Sequence, residues 1–323
     1  MSNPLLPVDV VGLGINSTDT MIRLPRFPTS DSKLEFRSSE VLLGGQVASA
    51  MVAYSRWGLQ CRYVGSIGDD SYGELQKSAM AQEQVEAHWV VTPNCQSQST
   101  YILVDEGYGE RTILWKRDPR LAIPPGRVDK DWVLQAKLLH VDGHDCPAAT
   151  RAAHWAREAG LPVVADLDNR YPGVEALLED VDFAITSREF PDRLTGERNL
   201  FVSLPQIAAR FGCRVTAATL GDEGALLWDG LKFRYQPAFA VSAIDTTGAG
   251  DIFHAAFAFG VLNGWDIDRQ LEFSSAAAGL ACTGLGARGG IATISQIEEL
   301  IRTGRRRPSS FAKPQLEASR TMP

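Results

Sequence analysis

The residues whose chemistry is easiest to interpret lie at positions 243–257, where AIDTTGAGD is followed by the apolar run IFHAAF. A helix that begins after such a turn leaves its first backbone N–H groups without helical partners. These donors and the positive end of the helix dipole favour a phosphate, and glycine lets a bulky anion approach the backbone. The candidate anion hole therefore consists of the amides of Gly248, Ala249, Gly250 and Asp251.

The carboxylate of Asp251 would repel a phosphate bound at this helix start unless it has a separate task. Phosphoryl transfer requires a base that deprotonates the attacking hydroxyl, placed beside dipoles that stabilise the transferring group. Asp251 suits that role. The alternative is that Asp251 is an ordinary first-turn acid that stabilises the helix through its dipole. The run alone leaves both interpretations open.

Composition excludes several other classes of protein. The 323 residues carry a formal net charge of −7, which disfavours a nucleic-acid partner. Five scattered cysteines without a C-x-x-C pair indicate neither a disulfide framework nor a zinc knuckle. The sequence contains no apolar run of ~20 residues and no basic, apolar leader at its start. We therefore expect a soluble cytoplasmic protein without a membrane partner.

Strand and helix patterns alternate along most of the chain. A short apolar run at 8–14 predicts a buried strand, and helical spacing follows from Gly45 to Gly58. Beyond residue 124 the patterns predict strands at 138–141, 162–166, 182–185 and 215–219, with helices near 148–159, 204–211, 249–262 and 269–284. Such alternation predicts an α/β fold, a three-layer α/β/α sandwich around a doubly wound, mainly parallel sheet.

Two segments contain strand patterns only, at about 18–42 and 98–118, the second with a turn at 106–109. We expect them to form a small β-sheet lid inserted into one domain that spans residues 1–302. The remaining residues, 303–323, are polar and include three adjacent arginines. They predict a flexible, solvated tail rather than a functional basic patch.

Three further glycine-containing segments accompany the run at 245–253 (DTTGAGDIF): LGGQVASA at 43–50, GDDSYG at 68–73 and TLGDEG at 219–224. Together, in this order and spacing, they resemble the signatures of the ribokinase-like (PfkB) carbohydrate kinases, and the resemblance extends from about residue 8 to about residue 301. It implies a ribokinase-like fold and an ATP-dependent kinase acting on a hydroxyl of a sugar or sugar-like substrate.

The resemblance also implies roles for individual residues. Asp251 would be the catalytic base, and Asp19 would bind substrate hydroxyls. Gly44 and Gly45 would contact the acceptor and act as a hinge for the lid. Thr219, Gly221 and Gly224 would flank the adenine and ribose, and Thr247 would also bind the nucleotide. Mg²⁺ would be held mainly through phosphates and water, in agreement with the absence of a Walker A motif.

The sequence departs from the family pattern at two places. Ser49 stands where family sugar kinases often carry an Asn that helps bind the sugar, so we expect a substrate that is larger or differently held. TSREF at 186–190 replaces the usual N-x-x-E motif, and Glu189 would supply the acid of the magnesium–water network. Potassium, a common activator in the family, would use carbonyls near Asp245, Thr247 and the loop 284–290.

Two polar clusters have more than one interpretation. In HVDGHD at 140–145, Asp142 either lines the substrate pocket, binds a metal with the neighbouring histidines, or has a structural role. Lys116 and Arg117 at the end of the lid hairpin are either solvated charges or cations for a phosphosugar or sugar acid.

Alternatives to a sugar kinase also remain open at this point. A nucleoside kinase predicts aromatic side chains facing the acceptor pocket, and a phosphosugar kinase predicts Lys or Arg there. A sugar- or nucleotide-binding sensor without turnover is disfavoured by the intact run ending at Asp251. Because lids of this family often pair between subunits, a homodimer through the β lid is expected.

Overall fold

A nine-stranded sheet forms the centre of the protein, in a computed structural model that describes residues 7–105, 111–309 and 311. In spatial order its strands are β13 Phe233–Gln236, β12 Ala225–Trp228, β11 Val215–Thr219, β10 Phe183–Ser187, β9 Val163–Leu167, β8 Leu138–Asp142, β1 Val10–Leu13, β4 Cys61–Gly68 and β5 Glu86–Thr92. In this spatial order the strands from β11 to β5 pair in parallel with their neighbours, whereas β12 and β13 pair in antiparallel orientation. The predicted mainly parallel sheet is confirmed.

Successive side chains of a strand point to opposite faces of the sheet, and both faces of this sheet are buried in apolar cores. Val10 and Val164 belong to one hydrophobic core, and Val11 and Val163 belong to the other. Helices cover both faces: α1 Gln46–Arg56, α2 Ser71–Gln82, α3 Lys130–Leu134, α4 Cys146–Glu158, α5 Val174–Leu178, α6 Phe190–Thr195, α7 Leu200–Phe211, α8 Ala249–Leu262, α9 Ile267–Ala281, α10 Gly286–Gly289 and α11 Ile294–Thr303. The predicted three-layer sandwich is confirmed.

A smaller sheet contains the lid segments, in the order β3 Ser38–Gly44, β2 Ser17–Leu24, β6 Ser99–Asp105 and β7 Arg111–Lys116. β2 pairs in parallel with β6, and the other two pairings are antiparallel. The predicted second sheet is therefore confirmed, and the turn predicted at 106–109 lies outside the described residues.

The hairpin of β12 and β13 was not predicted from the sequence. Asp229 supports its turn by accepting hydrogen bonds from the amides of Leu231 and Lys232, and Gly230 adopts a φ of 87°. Each strand has only four residues, which is too short for alternation to give a clear pattern.

Residues 304–307 pack on the domain. The amide of Ala240 donates to the carbonyl of Arg305 at 2.8 Å, and the amide of Arg307 donates to the carbonyl of Ala238 at 2.7 Å. The Arg306 guanidinium lies over the ring of Phe239. Residues 304–307 are therefore packed where the sequence predicts the start of a flexible tail. Among the described residues, no helix is long and apolar enough to cross a membrane.

Candidate active site

The start of α8 is held in place by a second loop. Gly248 is the N-cap residue with a φ of 76°, and a Cβ there would lie 2.5 Å from the Cα of Ala287. Asp245 joins the two loops: its Oδ1 accepts hydrogen bonds from the amide and hydroxyl of Thr247, and its Oδ2 accepts one from the amide of Gly286. Glycine is therefore required at position 248, both by backbone conformation and by space.

Three of the four amides proposed from the sequence for the anion hole remain candidates. The amide of Ala249 donates to the carbonyl of Thr246 at 3.3 Å, so Ala249 is a poor candidate. The amides of Gly250 and Asp251 lie in the first turn, where a helix provides no i−4 acceptor. Around Gly250 the space is open, since an added Cβ would meet nothing within 4 Å. An anion can therefore approach these amides.

Asp251 lies in the same turn and is half-buried. Burial raises its pKa well above the ordinary value, and the nearby charges of Asp166, Asp168 and Asp19 raise it further, whereas His254 lowers it. A carboxylate with a raised pKa is a stronger base than an exposed one. This environment differs from that of an exposed first-turn acid.

A cavity of about 370 Å³ lies beside the start of α8. The predicted residues Thr219, Gly221 and Gly224 line it together with Ala249 and Gly250. The rest of its lining was not predicted as part of the site: Arg111, Asp222, Ala238, Phe239, Val241, Ala243, Thr246, Phe253, Ser275, Ala278, Gly279, Cys282 and Arg307. The lining is mostly apolar, as expected for a site that takes a purine ring.

Two arginines reach this cavity from distant parts of the chain. Arg111 of β7 donates to the hydroxyl of Thr246, and Arg307 forms an ion pair with Asp222 at 3.1 Å. The basic run at 305–307 was the available signal for Arg307, but the sequence favours a solvated tail there. Its pairing with residues 238–240 cannot be read from the local sequence.

The predicted acceptor residues Asp19, Gly44 and Gly45 meet where the small sheet joins the main one. Asp19 is the third residue of β2, and its Oδ1 accepts a hydrogen bond from the Ser17 hydroxyl at 2.6 Å. Gly44 ends β3 against the Asp19 carboxylate, and Gly45 begins α1 with a φ of 95°. Burial raises the pKa of Asp19. Asp19 lies near enough to Asp251 for its charge to raise the pKa of that carboxyl.

Asp142 is completely buried at the end of β8 and is engaged by the backbone. Its carboxylate accepts hydrogen bonds from the amides of Ile15 at 2.7 Å and His144 at 3.0 Å. Burial raises its pKa to about 7. His140 contacts the Tyr54 hydroxyl at 2.9 Å. Of the three interpretations of this cluster, these contacts favour a structural role.

The contacts of Ser49 and Glu189 do not assign a role to either residue. Ser49 is fully buried in α1, and its hydroxyl has no hydrogen-bond partner among the described residues. Glu189 is exposed at the N-cap of α6 and does not line the cavity. The roles of both residues stay predictions.

The two cations at the end of the lid hairpin differ. Lys116 is exposed, as expected for a solvated charge. Arg117 is mostly buried, and its Nη2 forms an ion pair with Asp145 at 2.7 Å and donates to the carbonyl of Leu121 at 3.0 Å. The interpretation of Arg117 as a solvated charge is therefore wrong, because its charge is balanced by the carboxylate of Asp145.

The sequence profile described as pfkB family carbohydrate kinase matches residues 14–294. The chain belongs to this family. The kinase is 29% identical to an ATP-dependent ribose-1-phosphate kinase from Halopiger xanaduensis, covering 87% of this chain and 94% of the relative. It is 25% identical to a ribokinase from Bacillus subtilis, covering 90% and 98%.

Solved structures agree with the fold of the kinase. A candidate ribokinase from Agrobacterium tumefaciens superposes with a TM-score of 0.85 at 28% identity, covering 92% of this chain and 98% of that one. A ribokinase from Arabidopsis thaliana in complex with ribose and ATP has a TM-score of 0.75 at 23% identity, covering 92% and 99%. The predicted family and ribokinase-like fold are both confirmed.

Proposed function

We propose that the kinase transfers the γ-phosphoryl group of ATP to a hydroxyl of a sugar, with Asp251 as the base. The position of Asp251 carries this proposal: it lies in the first turn of α8, whose residues Ala249 and Gly250 line the 370 Å³ cavity, and it is near enough to Asp19 for that charge to act on its pKa. Asp251 would take the proton of the acceptor hydroxyl, whose oxygen forms the new bond to phosphorus while the bond to the β-phosphate oxygen breaks. The amides of Gly248, Gly250 and Asp251 would stabilise the charge on the transferring group.

ATP is the proposed donor. The cavity would hold the adenine and ribose between the loop at 219–224 and α9, with Thr247 near the phosphates. Arg111 in its lining supplies positive charge suited to phosphates, whereas the charge of Arg307 is balanced by Asp222. The name of the Halopiger xanaduensis relative, an ATP-dependent kinase, supports the same donor.

Magnesium would neutralise charge on the phosphates when bound. No group of three or more His, Cys, Asp or Glu side chains in the described ranges could hold a metal. The proposed ion would be held mainly by phosphate oxygens and water, with Glu189 as the proposed protein contribution. Potassium is a further proposal, supported by the way Asp245 joins the loops that would offer their carbonyls.

A neutral sugar is the proposed acceptor class. The carboxylates of Asp19 and Asp168 lie near enough to raise the pKa of Asp251, and the cation of Arg288, which lowers the pKa of Asp19, is bound to the Gly44 carbonyl at 3.2 Å. The cation of Arg117 is balanced by Asp145. Such surroundings accept hydroxyl donors and disfavour a second phosphate. The second candidate is a phosphosugar, supported by the name of the ribose-1-phosphate kinase relative.

A homodimer through the lid is also proposed. Every residue of β7 is exposed, and large apolar side chains of the small sheet face solvent: Val41, Tyr101, Ile113, Leu114 and Trp115. Large exposed apolar side chains of this kind commonly mark a protein interface. Each subunit of this dimer would be one domain into which the two lid segments are inserted.

The test is ADP release from ATP and Mg²⁺ across neutral sugars, sugar acids, phosphosugars and nucleosides, with Asp251→Asn measured in parallel. We expect turnover with a neutral sugar, reduced by about 10²–10⁴-fold in the variant because general base catalysis is lost. Turnover that survives Asp251→Asn unchanged would exclude this mechanism. Silence across the panel with ATP still bound would favour a sensor.

A further inference from the structure

His254 is a buried polar residue in α8 that the mechanism above does not use. It lies one helical turn after Asp251, surrounded by apolar residues of the same helix, and is 3% exposed. Both ring nitrogens contact a backbone carbonyl. Nδ1 lies 2.5 Å from the carbonyl oxygen of Gly250, and Nε2 lies 3.2 Å from that of Ile185 in β10. Polar groups are seldom buried in this way without a specific partner.

The surroundings of the ring determine where its proton lies. Nδ1 faces two oxygens, the Gly250 carbonyl and Oδ2 of Asp166 at 3.3 Å. Nε2 faces one carbonyl at a longer distance. Carbonyl and carboxylate oxygens accept hydrogen bonds, so the proton belongs on Nδ1, where it is donated to the Gly250 carbonyl. Asp166 is itself oriented by Gln46, whose Nε2 donates to Oδ1 at 2.9 Å.

The Gly250 carbonyl belongs to the same planar peptide unit as the amide of Asp251. That amide is one of the three proposed for the anion hole. The helix already orients this peptide, and a second donor on the carbonyl holds its plane more firmly, and with it the direction of the N–H. Hydrogen bonds also polarise one another through a peptide group, so the N–H becomes a better donor.

We propose that His254 is a positioning residue of the anion hole, which acts through the Gly250–Asp251 peptide. This inference rests on the proposed phosphoryl transfer at the same site. The ring of His254 would act through this peptide and not touch the substrates. The stabilisation is required when charge develops on the transferring group, so His254 contributes to kcat more than to the binding of ATP or acceptor.

Two amide variants separate this role from simple packing. In His254→Asn the side-chain nitrogen takes the place of Nδ1 and can donate to the Gly250 carbonyl. In His254→Gln the nitrogen takes the place of Nε2 and reaches towards Ile185 instead. Both are uncharged, polar and smaller than or similar to histidine, so each serves as the control for the other.

The experiment measures kcat and both KM values for the full chain, with thermal unfolding of each variant. We expect kcat of His254→Gln to fall about tenfold or more, since misplacing one donor costs less than the 10²–10³-fold loss on removing it. KM for ATP should change less than twofold, and His254→Asn should recover most of the loss. Binding of ADP with aluminium fluoride and acceptor, a mimic of the transferring group, should weaken in His254→Gln while binding of ADP alone does not.

Three results would overturn the inference: equal kcat in the Asn and Gln variants, wild-type kcat in His254→Gln, or a loss confined to KM. The Asp251→Asn variant distinguishes failure of the role of His254 from failure of the proposed phosphoryl transfer. If Asp251→Asn is inactive while His254→Gln equals the wild type, only the role of His254 fails. If Asp251→Asn retains full turnover, the proposed function fails as well.

Discussion

Replacing Gly248 with alanine should damage both stability and turnover, by amounts that the structure allows to be separated. The residue has a φ of 76°, and its new Cβ would lie 2.5 Å from the Cα and 2.6 Å from the Cβ of Ala287. The left-handed backbone costs about 1–2 kcal/mol for a residue other than glycine. Forcing a methyl group into packed backbone costs about 1–3 kcal/mol more. We therefore expect about 3 kcal/mol of lost unfolding free energy.

Gly264→Ala is the matched control. Gly264 has a φ of 65°, but a Cβ there would meet nothing within 4 Å. The control should lose only the backbone contribution of about 1–2 kcal/mol. Urea unfolding followed by circular dichroism measures both variants, and the difference between them reports the clash with Ala287.

Turnover provides the second measurement. If the 284–290 loop and the start of α8 are pushed apart, the amides at 248–251 no longer converge on one point. Loss of one such donor costs about 10²–10³-fold in kcat. We expect at least a tenfold loss of kcat in Gly248→Ala and wild-type kcat in Gly264→Ala. Equal stability and equal activity of the two variants would refute the reasoning.

Three other perturbations have clear expected outcomes. Arg117→Met leaves the buried carboxylate of Asp145 without its partner and should cost about 3–5 kcal/mol in urea unfolding; a loss below 1 kcal/mol would mean the pair is solvated. Because burial raises the pKa of Asp142 from 3.8 to about 7, the folded protein holds a proton that the unfolded chain releases between these values, and unfolding free energy should fall as pH rises through this range. Asp142→Asn should make that fall shallower, and an unchanged pH dependence would contradict the assignment. Trp115, 60% exposed on β7, should contribute to the proposed dimer, so Trp115→Ser should shift the mass measured by light scattering towards the monomer; a monomeric wild type would contradict the dimer.

Local sequence was sufficient for the central sheet and for the phosphate side of the site. The buried strands are short runs of β-branched residues, and the start of α8 is marked by glycines next to a long apolar helix. Gly248, Gly250 and Asp251 could be proposed as site residues because the predicted chemistry depends on neighbours in the chain. Such features are encoded within about ten residues.

Features that depend on distant contacts could not be predicted. The arginines at the cavity come from β7 and from residue 307, and each meets its partner across 85 residues or more, as Asp222 with Arg307. His254 stands within an apolar helical run, where periodicity alone assigns it to packing. Its partner Asp166 lies 88 residues earlier in the chain, and only the fold brings the two side chains together.

The order of the two halves of the active site along the chain has a consequence for biosynthesis. Apart from Arg111, the residues that line the nucleotide cavity lie between Thr219 and Arg307, whereas Asp19, Gly44 and Gly45 are translated much earlier. Domains generally fold as units, and Gly44 on the acceptor side is held by Arg288, whose Nη2 donates to its carbonyl at 3.2 Å. A nascent chain therefore cannot complete the acceptor side until Arg288 has left the exit tunnel, so both sides of the proposed active site form together near the end of synthesis.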